Sequence, residues 1–162
     1  MSGLMQSSPV KLLVSIVAPM LAGFLGSIFT RRSVETWYAT INKPGFNPPS
    51  GVFGPVWTVL YVLMGIAAFL IWRRGLAEPR VRTALILFLV QLALNAFWSF
   101  AFFGMRSPLA GAVVISALWV AILLTMISFF KISIPAGLML VPYILWVSFA
   151  SILNFSIYFL NR

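Results

Sequence analysis

The stretch that decides the fold covers residues 37–61 and reads WYATINKPGFNPPSGVFGPVWTVLY. Its first part holds three prolines within six residues, at Pro44, Pro48 and Pro49. Because proline fixes φ and lacks a backbone N–H, we predict that this part is neither helix nor strand. Its second part, from Gly54 onwards, joins the stiff aromatic loop directly to an apolar helix. The stretch therefore predicts a shaped loop that lies as a lid at a membrane surface.

The composition of the chain assigns it to the membrane. Of 162 residues, 62% are hydrophobic and 8% are charged, and the mean hydropathy is +1.06. A soluble domain of this size could not bury that much apolar surface, so the bilayer must be the solvent.

Five apolar stretches are long enough to cross a hydrocarbon core of about 30 Å, which takes about 20 helical residues. They cover residues 10–30, 54–72, 81–104, 108–130 and 135–160. We predict an all-α membrane protein, a five-transmembrane-helix bundle that forms a single domain over residues 1–162.

The prolines and the connections refine this prediction. Pro55, Pro108 and Pro135 are predicted to lie at helix starts, where a missing N–H costs nothing. The later connections are short, so neighbouring helices should be antiparallel. Residues 31–53 form the only long connection, and long loops in compact domains tend to be functional. We therefore predict a ligand-lid loop at residues 31–53.

The charged and reactive residues exclude several classes of function. The net charge of +9 comes from 11 basic residues against two acids, Glu35 and Glu78. The basic residues flank apolar segments, as in membrane proteins that anchor to lipid head groups, so we expect no nucleic-acid partner. The chain has no Cys and no His, which removes thiol catalysis and the usual haem and zinc ligands. We expect no metal site, no required cofactor and no conventional enzyme.

The membrane that hosts the chain and its orientation are less constrained. Six basic residues would lie on the N-terminal side and five on the opposite side, a split too even for the positive-inside rule. We interpret residues 10–30 as a retained helix, because the stretch is longer than the core of a signal peptide. The lack of an Arg/Ser-rich transit segment favours a bacterial cell membrane.

Three predicted helices each carry a row of aromatic, polar or small residues at i, i+4 and i+8, which places each row on one face. The rows are Trp57, Tyr61 and Gly65; Gln91, Asn95 and Ser99, beside Trp98; and Trp146, Ala150 and Asn154, after Tyr143. Polar amides are costly against lipid, so these faces should point into the bundle. Facing one another, the rows would enclose an aromatic-walled cavity of the kind that binds small molecules. The same rows are also consistent with helix packing alone.

Other residues have simpler interpretations. Trp72, beside two arginines, is predicted to anchor at the membrane interface, and Trp119 is predicted to serve packing. Ala18, Ala22 and Gly26 form a small-residue ridge that allows close helix approach within the bundle, with dimerisation as the alternative.

The ordered motifs of the chain resemble those of the TspO/MBR family of tryptophan-rich sensory and translocator proteins. The motifs are Trp37-Tyr38 with Lys43-Pro44 and Pro48-Pro49, Gly54-Pro55-Val56-Trp57 through Tyr61, Leu94-Asn95-Ala96-Phe97-Trp98-Ser99 through Gly104, and Val141-Pro142-Tyr143 through Asn154. The resemblance covers essentially the whole chain beyond its first ten residues.

The resemblance implies a bundle that binds porphyrins such as protoporphyrin IX and, in some members, sterols and benzodiazepine-type ligands. It also implies a homodimer. By motif, the ligand-binding residues would be Tyr38, Pro44, Trp57, Tyr61, Asn95, Trp98, Trp146 and Ala150. The family's sterol-contact tyrosine falls at Phe155, and Tyr158 satisfies only a looser pattern. This difference weakens the case for sterol.

These observations give three hypotheses for function. The first is an integral membrane tetrapyrrole-binding protein that acts in sensing, transport or stress response, with Lys43, Arg31 and Arg32 at the rim to hold propionates. The second is light- or oxygen-dependent porphyrin degradation, with Trp57 and Trp146 as the candidate catalytic residues. The third is a membrane scaffold subunit with an incidental cavity.

Overall fold

The computed structural model describes residues 8–162, and this part of the chain is helical and contains no strand. In chain order its elements are α1 (Ser8–Val34), α2 (Trp37–Thr40), α3 (Ser50–Trp72), α4 (Pro79–Ser99), a π-helix (Phe100–Gly104), α5 (Pro108–Phe130), α6 (Ile134–Met139) and α7 (Val141–Leu160). Five segments are long and apolar enough to cross a membrane: α1, α3, α4 with the π-helix, α5, and α6 with α7. The predicted bundle of five transmembrane helices is confirmed.

The loop between the first two spans is shorter than predicted. Because α1 continues to Val34 and α3 begins at Ser50, the connection covers residues 35–49, which we call the lid. The prediction that this loop holds no helix is wrong, since α2 forms one short turn at Trp37–Thr40. Its single turn ends before the first of the lid prolines, where the missing N–H groups prevent further helix.

The position of Pro55 also corrects a prediction. Pro55 lies inside α3 and not at its start. The residue before a proline is normally kept out of the helical region by a clash with its Cβ, but Gly54 has no Cβ. The helix can therefore pass through this position at the cost of one hydrogen bond.

The last span is two helices where one was predicted. It breaks at Leu140, between α6 and α7. Pro142 cannot donate a backbone hydrogen bond, so it ends one helix and begins the next near this point. The break lets α6 pack against both α3 and α5, while α7 packs along α5.

Helix α1 packs closely into the bundle through its small residues. A Cβ added at Gly65 of α3 would lie 2.6 Å from the Cα of Ile16, and one added at Gly26 would lie 2.8 Å from Ser99 Oγ. Without side chains at these positions the helix backbones approach closely, as in other membrane bundles. Gly26 therefore allows close helix packing within the bundle, which is the interpretation that the sequence favoured over dimerisation.

The most tightly packed part of the core lies in the half of the bundle away from the lid. Met64, Ile71, Ile122 and Phe129 are fully buried there, and Phe129 stacks on Phe88 with ring centroids 5.9 Å apart. The connections at this end are short, from residue 73 to 78 and from 131 to 133. The other half of the bundle, beneath the lid, contains a cavity.

Candidate functional site

The cavity beneath the lid has a volume of about 800 Å³ and lies between α1, α3, α4, the π-helix and α7. Pockets for small molecules have volumes of about 300–1,000 Å³. Seven of the eight predicted ligand-binding residues line it, namely Tyr38, Trp57, Tyr61, Asn95, Trp98, Trp146 and Ala150. Pro44 does not, because it lies in a turn of the lid where its carbonyl accepts from the backbone N–H of Asn47 at 3.0 Å.

A chain of hydrogen bonds connects the cavity with the core of the bundle. The Tyr61 hydroxyl donates to Asn95 Oδ1 at 2.7 Å, and Asn95 Nδ2 donates to the Tyr143 hydroxyl at 3.1 Å. The Tyr143 hydroxyl donates in turn to Gln91 Oε1 at 2.7 Å, and Gln91 Nε2 contacts Met64 Sδ at 3.8 Å. The chain joins α3, α4 and α7 and satisfies amides that would be costly to leave unpaired in a membrane.

A second set of hydrogen bonds fixes Trp98. Its indole Nε1 donates to Asn154 Oδ1 at 3.0 Å, and Asn154 Nδ2 donates to the Pro108 carbonyl at 2.8 Å. Asn154 is buried and lines the cavity. Because its two hydrogen bonds reach Trp98 of α4 and Pro108 of α5, it connects α7 with both helices at this level. The i, i+4, i+8 row predicts that Asn154 faces the cavity, and it does line it. The sequence did not indicate its hydrogen-bond partners, Trp98 and Pro108, which belong to other helices.

The π-helix places two aromatic residues against Trp98. In a π-helix the hydrogen bonds join residues i and i+5, which makes the turn wider than in an α-helix. Phe102 and Phe103, four and five positions after Trp98, therefore both reach its ring, at centroid distances of 5.6 and 6.0 Å. Both line the cavity, and Tyr38 of the lid contacts them at 6.2 and 5.6 Å. Sequence reasoning missed these two residues, although they fall inside a family motif.

Hydrogen bonds fasten the lid over the cavity. Asn161, just after α7, accepts from the backbone N–H of Asn42 and donates to its carbonyl, both at 2.9 Å. The Tyr38 hydroxyl donates to Asn47 Oδ1 at 2.9 Å. Burial raises the pKa of the Tyr38 phenol above its ordinary value. The lid is therefore tied to the end of the last helix and to itself.

The basic residues predicted at the rim differ in their surroundings. Lys43 lines the cavity, but its Nζ donates to the carbonyls of Tyr38 at 2.7 Å and Ile41 at 2.9 Å, within the lid. Arg31 lines the cavity and is exposed, whereas Arg32 is exposed and does not line it. Arg31 is thus the rim cation best placed for an anionic ligand.

Trp146 differs from the other tryptophans of the bundle interior. Its Nε1 is the one buried side-chain nitrogen or oxygen without a hydrogen-bond partner in residues 8–162. Trp98 donates to Asn154, and Trp119 donates to Ser148 Oγ at 2.8 Å. Buried polar groups nearly always have a partner, so this N–H is an exception; it is itself inaccessible, and other atoms of Trp146 line the cavity.

Several residues that line the cavity on α1 and α3 are exposed. Met20 and Phe24 of α1 and Gly54 and Thr58 of α3 all line it and are all exposed at the surface of the bundle. Among residues 8–162 there is no group of three His, Cys, Asp or Glu side chains that could hold a metal ion.

Fold and site together define an integral, multi-pass helical membrane protein with a lidded, aromatic-walled cavity. The sequence model of the TspO/MBR family matches residues 15–160, and the chain belongs to that family.

Several relatives are similar over most of their length. The chain is 49% identical over 152 residues to the tryptophan-rich protein TspO of Archaeoglobus fulgidus, which covers 93% of this chain and 97% of that protein. It is 38% identical over 128 residues to the tryptophan-rich sensory protein of Cereibacter sphaeroides, covering 78% of each. It is 37% identical over 146 residues to the human translocator protein, covering 88% and 85%. Membership of this family supports a sensing or transport role at the membrane.

Proposed function

We propose that this chain binds tetrapyrroles such as protoporphyrin IX in the cavity beneath the lid, and acts in sensing, transport or stress response at the membrane. The observation that carries the proposal is a cavity of about 800 Å³ whose wall includes the rings of Trp57, Trp98 and Trp146. The proposal needs no metal and no resident cofactor. By resemblance it extends to benzodiazepine-type ligands and to a homodimer.

The chemistry of a porphyrin suits this wall. Its macrocycle is flat and apolar, and it can stack on Trp57, Trp98 and Trp146, which all line the cavity. An aromatic pair contributes about 0.5–1.5 kcal/mol beyond the area that it buries. The two propionates of protoporphyrin IX need a polar exit, which Arg31 at the rim supplies.

Quenching of tryptophan fluorescence by protoporphyrin IX, titrated in the dark into purified protein, tests the proposal. We expect saturable quenching, and a dissociation constant about two- to tenfold larger in Trp146→Ala. Trp119→Ala is the matched control, because Trp119 is a half-buried tryptophan that does not line the cavity. Equal affinity of the wild type and Trp146→Ala would remove Trp146 from the site, and absence of saturable quenching would reject tetrapyrrole binding.

Illumination adds a second arm to the same titration. Binding alone predicts that porphyrin absorption in the light decays at the same rate with and without the protein. Light-dependent products that disappear in Trp57→Phe and Trp146→Phe, while dark affinity is kept, would instead support porphyrin degradation.

A further inference from the structure

The hydrogen-bond chain from Tyr61 to Gln91 has a direction. Each phenol hydroxyl has one hydrogen to donate, and each amide has a carbonyl end that accepts and a nitrogen end that donates. Tyr61 donates to Asn95, Asn95 donates to Tyr143, and Tyr143 donates to Gln91. If one amide turned over, every bond in the chain would have to reverse.

The direction is set at the buried end of the chain, by Gln91 and Met64. A thioether sulfur can only accept, and the group of Gln91 that faces Met64 Sδ is the donor Nε2, at 3.8 Å. In the reversed chain the Gln91 carbonyl would face the sulfur, and two acceptors would meet in a dry core. Gln91 and Met64 are both fully buried, so no water is at hand to relieve that contact.

The consequence appears at the cavity. Of the four hydrogen-bonded side chains from Tyr61 to Gln91, only Tyr61 and Asn95 line the cavity. Tyr61 is half-buried, and it has already given its one hydrogen to Asn95. Its phenol oxygen can therefore offer a ligand only an acceptor. In the reversed chain the same hydroxyl would be free to donate.

We propose that Gln91, held by Met64, is a positioning residue that makes Tyr61 a hydrogen-bond acceptor in the cavity, so that the site takes a flat aromatic ligand through an N–H or O–H at its edge. The proposal rests on the use of the cavity as a ligand site, as proposed above, but does not require that the ligand be a tetrapyrrole. A ligand of the same shape that carries an acceptor at that edge would meet the Tyr61 oxygen unfavourably.

Carbazole and dibenzofuran make a matched pair of probes, because they are three-ring frames of nearly equal shape. Carbazole has an N–H where dibenzofuran has an ether oxygen. Both would be measured by equilibrium dialysis against the full-length protein in nanodiscs, with empty nanodiscs as the blank for partition into lipid. One net hydrogen bond predicts that the wild type binds carbazole about two- to tenfold more tightly.

Three variants test the role of Gln91. Gln91→Leu removes the acceptor at the end of the chain, so the preference for carbazole should fall to about onefold or reverse. Gln91→Glu should keep the preference, because a carboxylic acid stays protonated in an apolar interior, accepts from Tyr143 and can donate to Met64. Met64→Leu removes only the sulfur and should lower the preference by a smaller factor. If Gln91→Leu does not fold, the preference measured for Met64→Leu decides whether Gln91 has this role.

The control is Thr125→Val, which removes a buried hydroxyl that bonds only to the Ala121 carbonyl of its own helix. It should leave the ratio of the two affinities unchanged. A merely structural role for Gln91 predicts that its variants weaken both probes equally, and an unchanged ratio in Gln91→Leu or Met64→Leu would overturn the proposal. Equal affinities of the wild type for carbazole and dibenzofuran would also overturn the proposal, but they would leave the cavity as a ligand site. No binding of either probe would reject this inference, whereas the proposed function is decided separately by the porphyrin titration.

Discussion

The two halves of this bundle are built from the same helices but are packed differently. In the half away from the lid, which we call the closed half, Met64, Ile71, Ile122 and Phe129 are fully buried and the helices are in close contact. In the half beneath the lid, which we call the open half, the same helices carry Trp57 and other aromatic residues around a cavity of about 800 Å³.

The comparison shows how a membrane bundle can hold a cavity open. Between helices in lipid, association depends on packing and on hydrogen bonds, so an unfilled volume gives up packing contacts. Beneath the lid, the bonds of Trp98 with Asn154 and of Tyr61 with Asn95 supply cross-links that do not require the helices to touch. Apart from Met64, which acts on the cavity through Gln91, we therefore expect mutations in the closed half to change stability, and mutations in the open half to change ligand affinity.

The largest effect on stability is expected for Phe129→Ala in the closed half. The variant loses a buried ring and its stacking with Phe88, which should lower the free energy of unfolding by about 3–5 kcal/mol. Denaturant titration in mixed micelles measures the change. The fraction that remains folded should bind protoporphyrin IX with the affinity of the wild type, and a loss of affinity there would break the comparison.

Gly65→Ala should destabilise by about 1–3 kcal/mol, because the added Cβ meets the backbone of Ile16 and forces α1 away from α3. Gly51→Ala in the same helix is the control, since a Cβ there meets nothing within 4 Å. It should change stability by no more than about 0.5 kcal/mol. Thermal unfolding of both variants measures the difference, and equal losses would argue against close packing at Gly65.

Asn154→Leu should destabilise by about 1–2 kcal/mol, because it leaves the Trp98 N–H and the Pro108 carbonyl unpaired. The variant sharpens the comparison, because Asn154 lines the cavity and fixes one of its aromatic walls. Porphyrin affinity should fall more than in Phe129→Ala, although Asn154→Leu loses less stability. An affinity equal to that of Phe129→Ala would contradict the separation of the two halves.

Asn161→Ala should have the smallest effect on stability, at most about 1 kcal/mol, because the bonds that it removes are exposed. The Asn42 N–H loses its acceptor and the lid is held less firmly, so hydrogen exchange at this N–H should become faster by up to about tenfold. Unchanged exchange at Asn42 would mean that other contacts hold the lid.

Much of the cavity could be predicted from the sequence, because it depends on helical periodicity. The i, i+4 spacing of Trp57 with Tyr61 and of Trp146 with Ala150 is fixed by local geometry, and these residues do line the cavity. Whether they contact a ligand stays a prediction.

The features that could not be predicted depend on irregular backbone or on distant partners. The π-helix changes the period at Phe102 and Phe103, so an α-helical period cannot place them together. The fastening of Asn42 by Asn161 joins residues far apart in sequence. From the sequence, Lys43 is predicted to be a rim cation. Its Nζ instead donates to the carbonyls of Tyr38 and Ile41, which come within reach only when the lid has folded.

The measurement that tests the central claim most directly is the dissociation constant of protoporphyrin IX for Ala150→Phe. Ala150 is buried and lines the cavity, so a phenylalanine ring there would occupy ligand volume. Ile152→Phe, two residues on in α7, adds the same ring at an exposed position that does not line the cavity. With both variants folded, we predict that Ala150→Phe loses porphyrin binding and Ile152→Phe keeps it. Equal binding by the two would contradict the assignment of the cavity as the ligand site.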